Sequence, residues 1–307
     1  MGESLSPKPV TNNTLFYGDN LMERYGCYQG KEHMSKPIPP HQLNTDSDVS
    51  SGATQPIHRI LQALSKVPEI TVYFWIIKLL STAMGESTSD YLVYQINPYV
   101  AVALGCLGLA VALILQLLVR RYVPWVYWLA VVMVAVFGTM VADVAHVVLG
   151  IPYWVSTVCF ASALAIIFVT WYASEKTLSI HTIYSGRREL FYWATVIATF
   201  ALGTAAGDLT ASTLRLGYFP SFVLFAILFA LPALAYWLLG LNEIVAFWFA
   251  YIMTRPLGAS FADWLGKPYL GGLGLNDAKV APVLTILIIG FVGYLTVTRK
   301  DVKGEQQ

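Results

Sequence analysis

Apolar and polar positions along this chain fall into long blocks, unlike the short alternation of strands or the one-sided stripe of a soluble helix. Three runs, Tyr91 to Val119, Tyr122 to Ala142 and Leu216 to Asn242, contain no Asp, Glu, Lys or Arg. Each exceeds the ~20 residues a helix needs to cross a bilayer core. Reading outward from such runs predicts helices at about 70–94, 98–119, 123–149, 152–173, 189–214, 218–239, 243–265 and 279–298. The turns between them are short and carry Pro, Gly or Asn, as at Asn97-Pro98, Gly150-Ile151-Pro152 and Gly240-Leu241-Asn242. Short turns make antiparallel hairpins, so the expected class is an all-α polytopic membrane protein with eight transmembrane helices.

The same three residue types recur at fixed offsets in every second helix. Trp75, Trp128, Trp193 and Trp248 each follow an aromatic residue; ten residues on stands Gly85, Gly138, Gly203 or Gly258, and five further Asp90, Asp143, Asp208 or Asp263. The unit is one signature helix plus one plain helix, repeated over about 67–120, 121–175, 187–240 and 241–300 within a transmembrane domain at 67–300. Two spans per unit give all four units one orientation, so the signature helices run parallel, a known transporter plan. Residues 1–66 hold Pro, Ser, Asn and scattered charges without apolar periodicity and are expected to form a disordered cytoplasmic tail.

This signature, with the stretch Thr254-Arg255-Pro256-Leu257-Gly258-Ala259-Ser260-Phe261-Ala262-Asp263-Trp264, resembles a bacterial family of membrane proteins built from four tandem two-helix repeats and of unknown function. The resemblance runs from about Val67 to Arg299 and implies the repeat architecture and a bacterial inner membrane. It implies no biochemistry.

Composition supports a lipid solvent: 56% of the 307 residues are hydrophobic and 12% charged, against about 25% charged in soluble domains. The net charge of +1 and the lack of a basic run give no reason to expect nucleic acid, and Cys27, Cys106 and Cys159 show no paired spacing. Ten basic residues flank the predicted spans on the side of the termini (Arg59, Lys66, Arg120, Arg121, Lys176, Arg187, Arg188, Arg299, Lys300, Lys303), against three on the other (Arg215, Lys267, Lys279). Excess positive charge marks the cytoplasmic side, so both termini are expected there.

From Trp to Asp is fifteen residues, about 22 Å of helix with an angular offset of about 60°. The Trp reads as an anchor near the cytoplasmic interface, the Gly as a place of close helix approach, and the Asp lies in the outer half. An ionised Asp facing lipid costs several kcal/mol, so the four should face the interior, either as a carboxylate site or as hydrogen-bonding residues that lock the repeats. Departures from the repeat favour a site. Glu86 and Lys78 accompany Asp90, His146 follows Asp143 by three residues, hydroxyls surround Asp208, and Arg255 precedes Asp263.

The expected substrate- or ion-binding residues are therefore Glu86, Asp90, Asp143, His146, Asp208 and Asp263, with Lys78 and Arg255 compensating charge. Asp90, Asp143 and Asp263 are the candidate metal ligands. Oxygen donors suit a hard divalent cation such as Mn²⁺, and the same carboxylates suit proton relay. Helix unwinding that offers backbone carbonyls to an ion is the functional alternative to packing for the signature glycines, and only Pro256 beside Gly258 supports it. No nucleophile, phosphate-loop or metalloprotease motif is present, so no enzymatic activity is expected. No cofactor is implied beyond a bound divalent cation, and the expected partners are the lipid bilayer and a small inorganic cation or proton. Transport of a cation and a non-transporting scaffold are the two functions compatible with these residues.

Overall fold

The computed structural model describes residues 65–184 and 186–302, and among them it contains eight long helices and no strand. They are α1 (Val72–Gln95), α2 (Pro98–Leu118), α3 (Pro124–Asp143), α4 (Tyr153–Glu175), α5 (Arg187–Asp208), α6 (Tyr218–Leu239), α7 (Glu243–Gly266) and α8 (Asp277–Thr298). With a π-helical turn continuing α3 over Val144–Val148 and another continuing α5 over Leu209–Thr213, the boundaries fall within two residues of those expected. The capping chemistry explains this agreement. Asn97, Asn242 and Asn276 each turn a side-chain oxygen onto the first free backbone N–H groups of the following helix, and Pro98 and Pro124 occupy first turns where no N–H is needed.

Helices α2 to α8 are each long and apolar enough to cross a membrane. Helix α1 has the length but carries Lys78, Glu86 and Asp90, and all three side chains are buried. In the apolar stretches of α3, α5 and α7, 56% to 67% of residues are buried inside the protein, against 11% to 28% in α2, α4, α6 and α8. The signature helices therefore form an inner layer and the plain helices an outer one.

The inner layer is a closed ring. Helix α1 packs on α3, α3 on α5, α5 on α7, and α7 back on α1. Each plain helix packs chiefly on the signature helix of the following unit: α2 on α3, α4 on α5, α6 on α7, and α8 on α1. Two of the three signature residues build this ring. The aromatic residue of each unit meets the Trp of the next, with centroids 5.8 Å apart for Phe74–Trp128, 5.8 Å for Tyr127–Trp193, 6.3 Å for Tyr192–Trp248 and 5.8 Å for Phe247–Trp75. Such spacing is typical of favourable aromatic pairs. Trp128, Trp193 and Trp248 are accordingly buried and Trp75 partly so, which corrects their reading as interfacial anchors.

The glycines do the same one level higher. A Cβ on Gly85 would strike Ala135, one on Gly138 Phe200, one on Gly203 Arg255, and one on Gly258 Thr82. In every case the struck residue stands three before the next unit's glycine. That constant offset around the ring shows that the signature helices are parallel and in register.

The expected tail at 1–66 lies outside the described residues except for its end. Lys66 is buried, not part of a loose tail: its ammonium pairs with Glu189 at 2.6 Å and donates to the Leu117 carbonyl. Helix α7 continues unbroken through Pro256, so the glycine there serves close packing and the unwinding alternative is not seen. The irregular turns follow Asp143 and Asp208 instead.

Candidate functional site

From the glycines onward, the residues between the signature positions differ from unit to unit. Arg255, fully buried, extends from α7 across the ring. Its Nη2 donates to Glu86 Oε2 at 2.7 Å, to Thr204 Oγ1 at 2.6 Å and to Thr139 Oγ1, and its Nη1 to the Thr82 carbonyl at 3.3 Å. One guanidinium thus ties α7 to α1, α3 and α5. Its planar fork of five donors suits such a role. Glu86, Thr139 and Thr204 occupy the same repeat position, one residue after the signature glycine.

Lys78 does not compensate a carboxylate, contrary to expectation. Its buried ammonium lies over the Phe200 and Tyr251 rings, 3.9 and 4.2 Å from their centroids, and has no hydrogen-bond partner. The reason is its level: it stands two helical turns below Glu86, among the aromatic side chains that fill the half of the ring nearer the termini. There Tyr127 and Tyr192 share a 2.5 Å hydrogen bond, and both are buried.

On the opposite side of Arg255 the carboxylates gather. One oxygen each from Glu86, Asp90 and Asp263 lies within 4.8 Å of the others, and all three residues are buried. Lys267, the C-cap of α7, places its ammonium 2.9 Å from Asp90 Oδ2 and 2.8 Å from Asp263 Oδ1. Burial works to lower the pKa of Lys267, but the charges of Asp263, Asp90 and Glu86 together outweigh it and raise that pKa well above the ordinary lysine value. Lys267 is the functional residue the sequence reading missed. Its signal is present in the sequence, since it follows Asp263 by four residues, the spacing that brings helical side chains together, but at a helix end it also reads as a flanking positive charge.

The remaining predicted residues sit at the margin of this cluster. Asp143 is partly buried and accepts from Ser89 Oγ at 3.3 Å, so in the converging set Glu86 stands where Asp143 was expected. Asp208 is partly buried and forms no hydrogen bond or ion pair among the described residues. Both lie within electrostatic reach of the carboxylates of Asp90 and Glu86. His146 does not join them. Its Nδ1 contacts the Ile151 carbonyl at 3.0 Å, its Nε2 contacts Ser156 Oγ at 3.3 Å, and its ring lies against Tyr153. The three-residue spacing from Asp143 predicted a shared face, but the π-helical turn is wider than an α turn and rotates His146 away.

Lys267 links the cluster to the α7–α8 connection. A cavity of about 240 Å³ there is lined by Tyr94, Lys267, Tyr269, Asn276 and Asp277 among others. Chemically, three carboxylates with oxygen-only donors suit a hard cation. Two oxygens across an ion lie at about twice the metal–oxygen distance, roughly 4–5 Å for Mg²⁺ or Ca²⁺, so the observed spread fits one ion.

No curated protein and no solved structure matches this chain. A family model does match, four times in tandem, over residues 73–122, 126–177, 191–240 and 246–301. Every copy holds one signature helix and one plain helix, and the chain belongs to the DUF347 family, a repeat of unknown function.

Proposed function

We propose that this protein is an integral membrane transporter or exporter of a small cation, spanning the bilayer eight times, with both termini in the cytoplasm of a bacterial cell. The observation that carries the reading is the convergence of the buried carboxylates of Glu86, Asp90 and Asp263 from α1 and α7, in the half of the bundle where the repeats differ. Architecture accounts for the symmetric aromatic and glycine contacts, but it does not require three buried carboxylates at one point. The charge on α1 supports the eighth span, because Lys78, Glu86 and Asp90 face the interior rather than lipid. The substrate is a hard cation held by oxygen, with Mn²⁺ the transition metal best matched to that donor set. Asp143 and Asp208, beside the cluster, are placed to relay protons if transport is proton-coupled.

A second reading, a non-transporting scaffold, is favoured by the ion pairs Arg255–Glu86 and Lys267 with Asp90 and Asp263, which neutralise much of the cluster internally. Purified protein in liposomes separates the two. Transport predicts Mn²⁺ flux above that of protein-free vesicles and saturable in Mn²⁺. No flux of Mn²⁺, Mg²⁺, Ca²⁺ or protons in either direction would favour the scaffold.

A further inference from the structure

We infer that Lys267 is a tethered occupant of the carboxylate site, displaced when a divalent cation binds, so that its ammonium selects divalent over monovalent substrates. This rests on the cation-site reading and goes beyond it by naming the substrate class and the residue that sets it. The ammonium already lies where a cation would, bridging Asp90 and Asp263 at 2.9 and 2.8 Å. A second feature points to a missing ligand. The Ser260 hydroxyl, on α7 three residues before Asp263, is 2% exposed and has no hydrogen-bond partner. It faces α5 beside Gly207, next to Asp208, so an oxygen donor without a partner lies between α5 and α7, about one helical turn from Asp263.

Of Lys78, Arg255 and Lys267, the cations enclosed in or just below this half of the ring among the described residues, Lys267 is the one able to leave. Arg255 is fully buried and bonded to three other helices, and Lys78 is enclosed by aromatic rings. The Lys267 side chain is 14% exposed and borders the outer cavity, where Asp277 is a carboxylate within its electrostatic reach. Release of Lys267 leaves Asp90 and Asp263 with two negative charges for an incoming ion. A divalent cation neutralises both, where the lysine neutralised one. A monovalent ion only replaces like with like against a tethered competitor, whose effective concentration is at least millimolar. Displacement by a monovalent ion therefore gains no charge, whereas displacement by a divalent ion gains Coulomb energy in a poorly solvated site.

The test is Mn²⁺ binding to the purified full-length protein in detergent, comparing wild type with Lys267→Met, in excess Na⁺. The expected result is at least tenfold tighter Mn²⁺ binding by Lys267→Met, together with newly measurable Na⁺ competition. Equal or weaker binding by Lys267→Met would overturn the displacement idea while leaving a cation site in place. Absence of Mn²⁺ binding by both proteins would overturn the cation-site reading itself. Should Lys267→Met fold poorly, wild type alone decides: reaction of Lys267 with an amine-directed ester, read by peptide mass spectrometry, should rise several-fold on adding Mn²⁺. No rise would count against displacement.

Discussion

Arg255 and Glu86 form an ion pair that solvent does not reach, with both side chains at or below 2% exposure. Removing one member of such a pair strands the other, at a typical cost of about 3–5 kcal/mol. Arg255→Met should therefore destabilise the purified protein by about that much, and adding Glu86→Gln should recover part of the loss, as measured by thermal unfolding in detergent. A single variant as stable as wild type would contradict the bridging role. At the end nearer the termini, burial raises the pKa of Asp301, partly opposed by its 2.6 Å hydrogen bond from Tyr122. The folded state then holds this proton more tightly than the unfolded chain does, so stability falls as pH rises from the ordinary Asp value through the raised one. Asp301→Asn should flatten that slope; an unchanged slope would show that other groups set it. Single residues were the least legible level. The carboxylates stood out because charge in an apolar run is conspicuous, whereas Lys267 resembled any other basic residue at a helix end. His146 was misplaced because a π-helical turn follows from tertiary packing, which local sequence does not carry.

At the level of helices, the constant Trp, Gly and Asp spacing carried most of the fold. It revealed the repeat, and the glycines mark where one signature helix meets the next. What spacing could not supply was the partner, because closing the ring from α7 back to α1 and seating each plain helix on the following unit depend on contacts distant in sequence. Gly258→Ala would push a methyl group into the Thr82 side chain and against the Ala83 backbone N, overpacking worth about 1–3 kcal/mol. Gly290, in α8, has open space around it, so Gly290→Ala should be neutral or stabilising by up to about 1 kcal/mol through helix propensity. Thermal unfolding of the two variants checks this. Equal stability would mean the ring tolerates separation at its glycines. The unwinding alternative at Pro256 fails for a related reason: Pro256 is buried against α5, and α7 stays helical through it.

For the whole molecule, eight spans with cytoplasmic termini require reporters fused at Ser174 and at the C-terminus to register cytoplasm and one at Asn97 the opposite side. Any reversal would remove the assigned topology. The larger claim is that the symmetric contacts build the ring and the asymmetric ones bind a cation. It is tested most directly by Mn²⁺ flux through liposomes containing folded Asp90→Asn, Asp143→Asn, Asp208→Asn or Asp263→Asn protein. Asn keeps the size and hydrogen bonding of Asp while removing the charge that a bound ion needs. Flux should be lost most in Asp90→Asn and Asp263→Asn, less in Asp143→Asn, and least in Asp208→Asn. Four variants with equal, near-wild-type flux would contradict the claim.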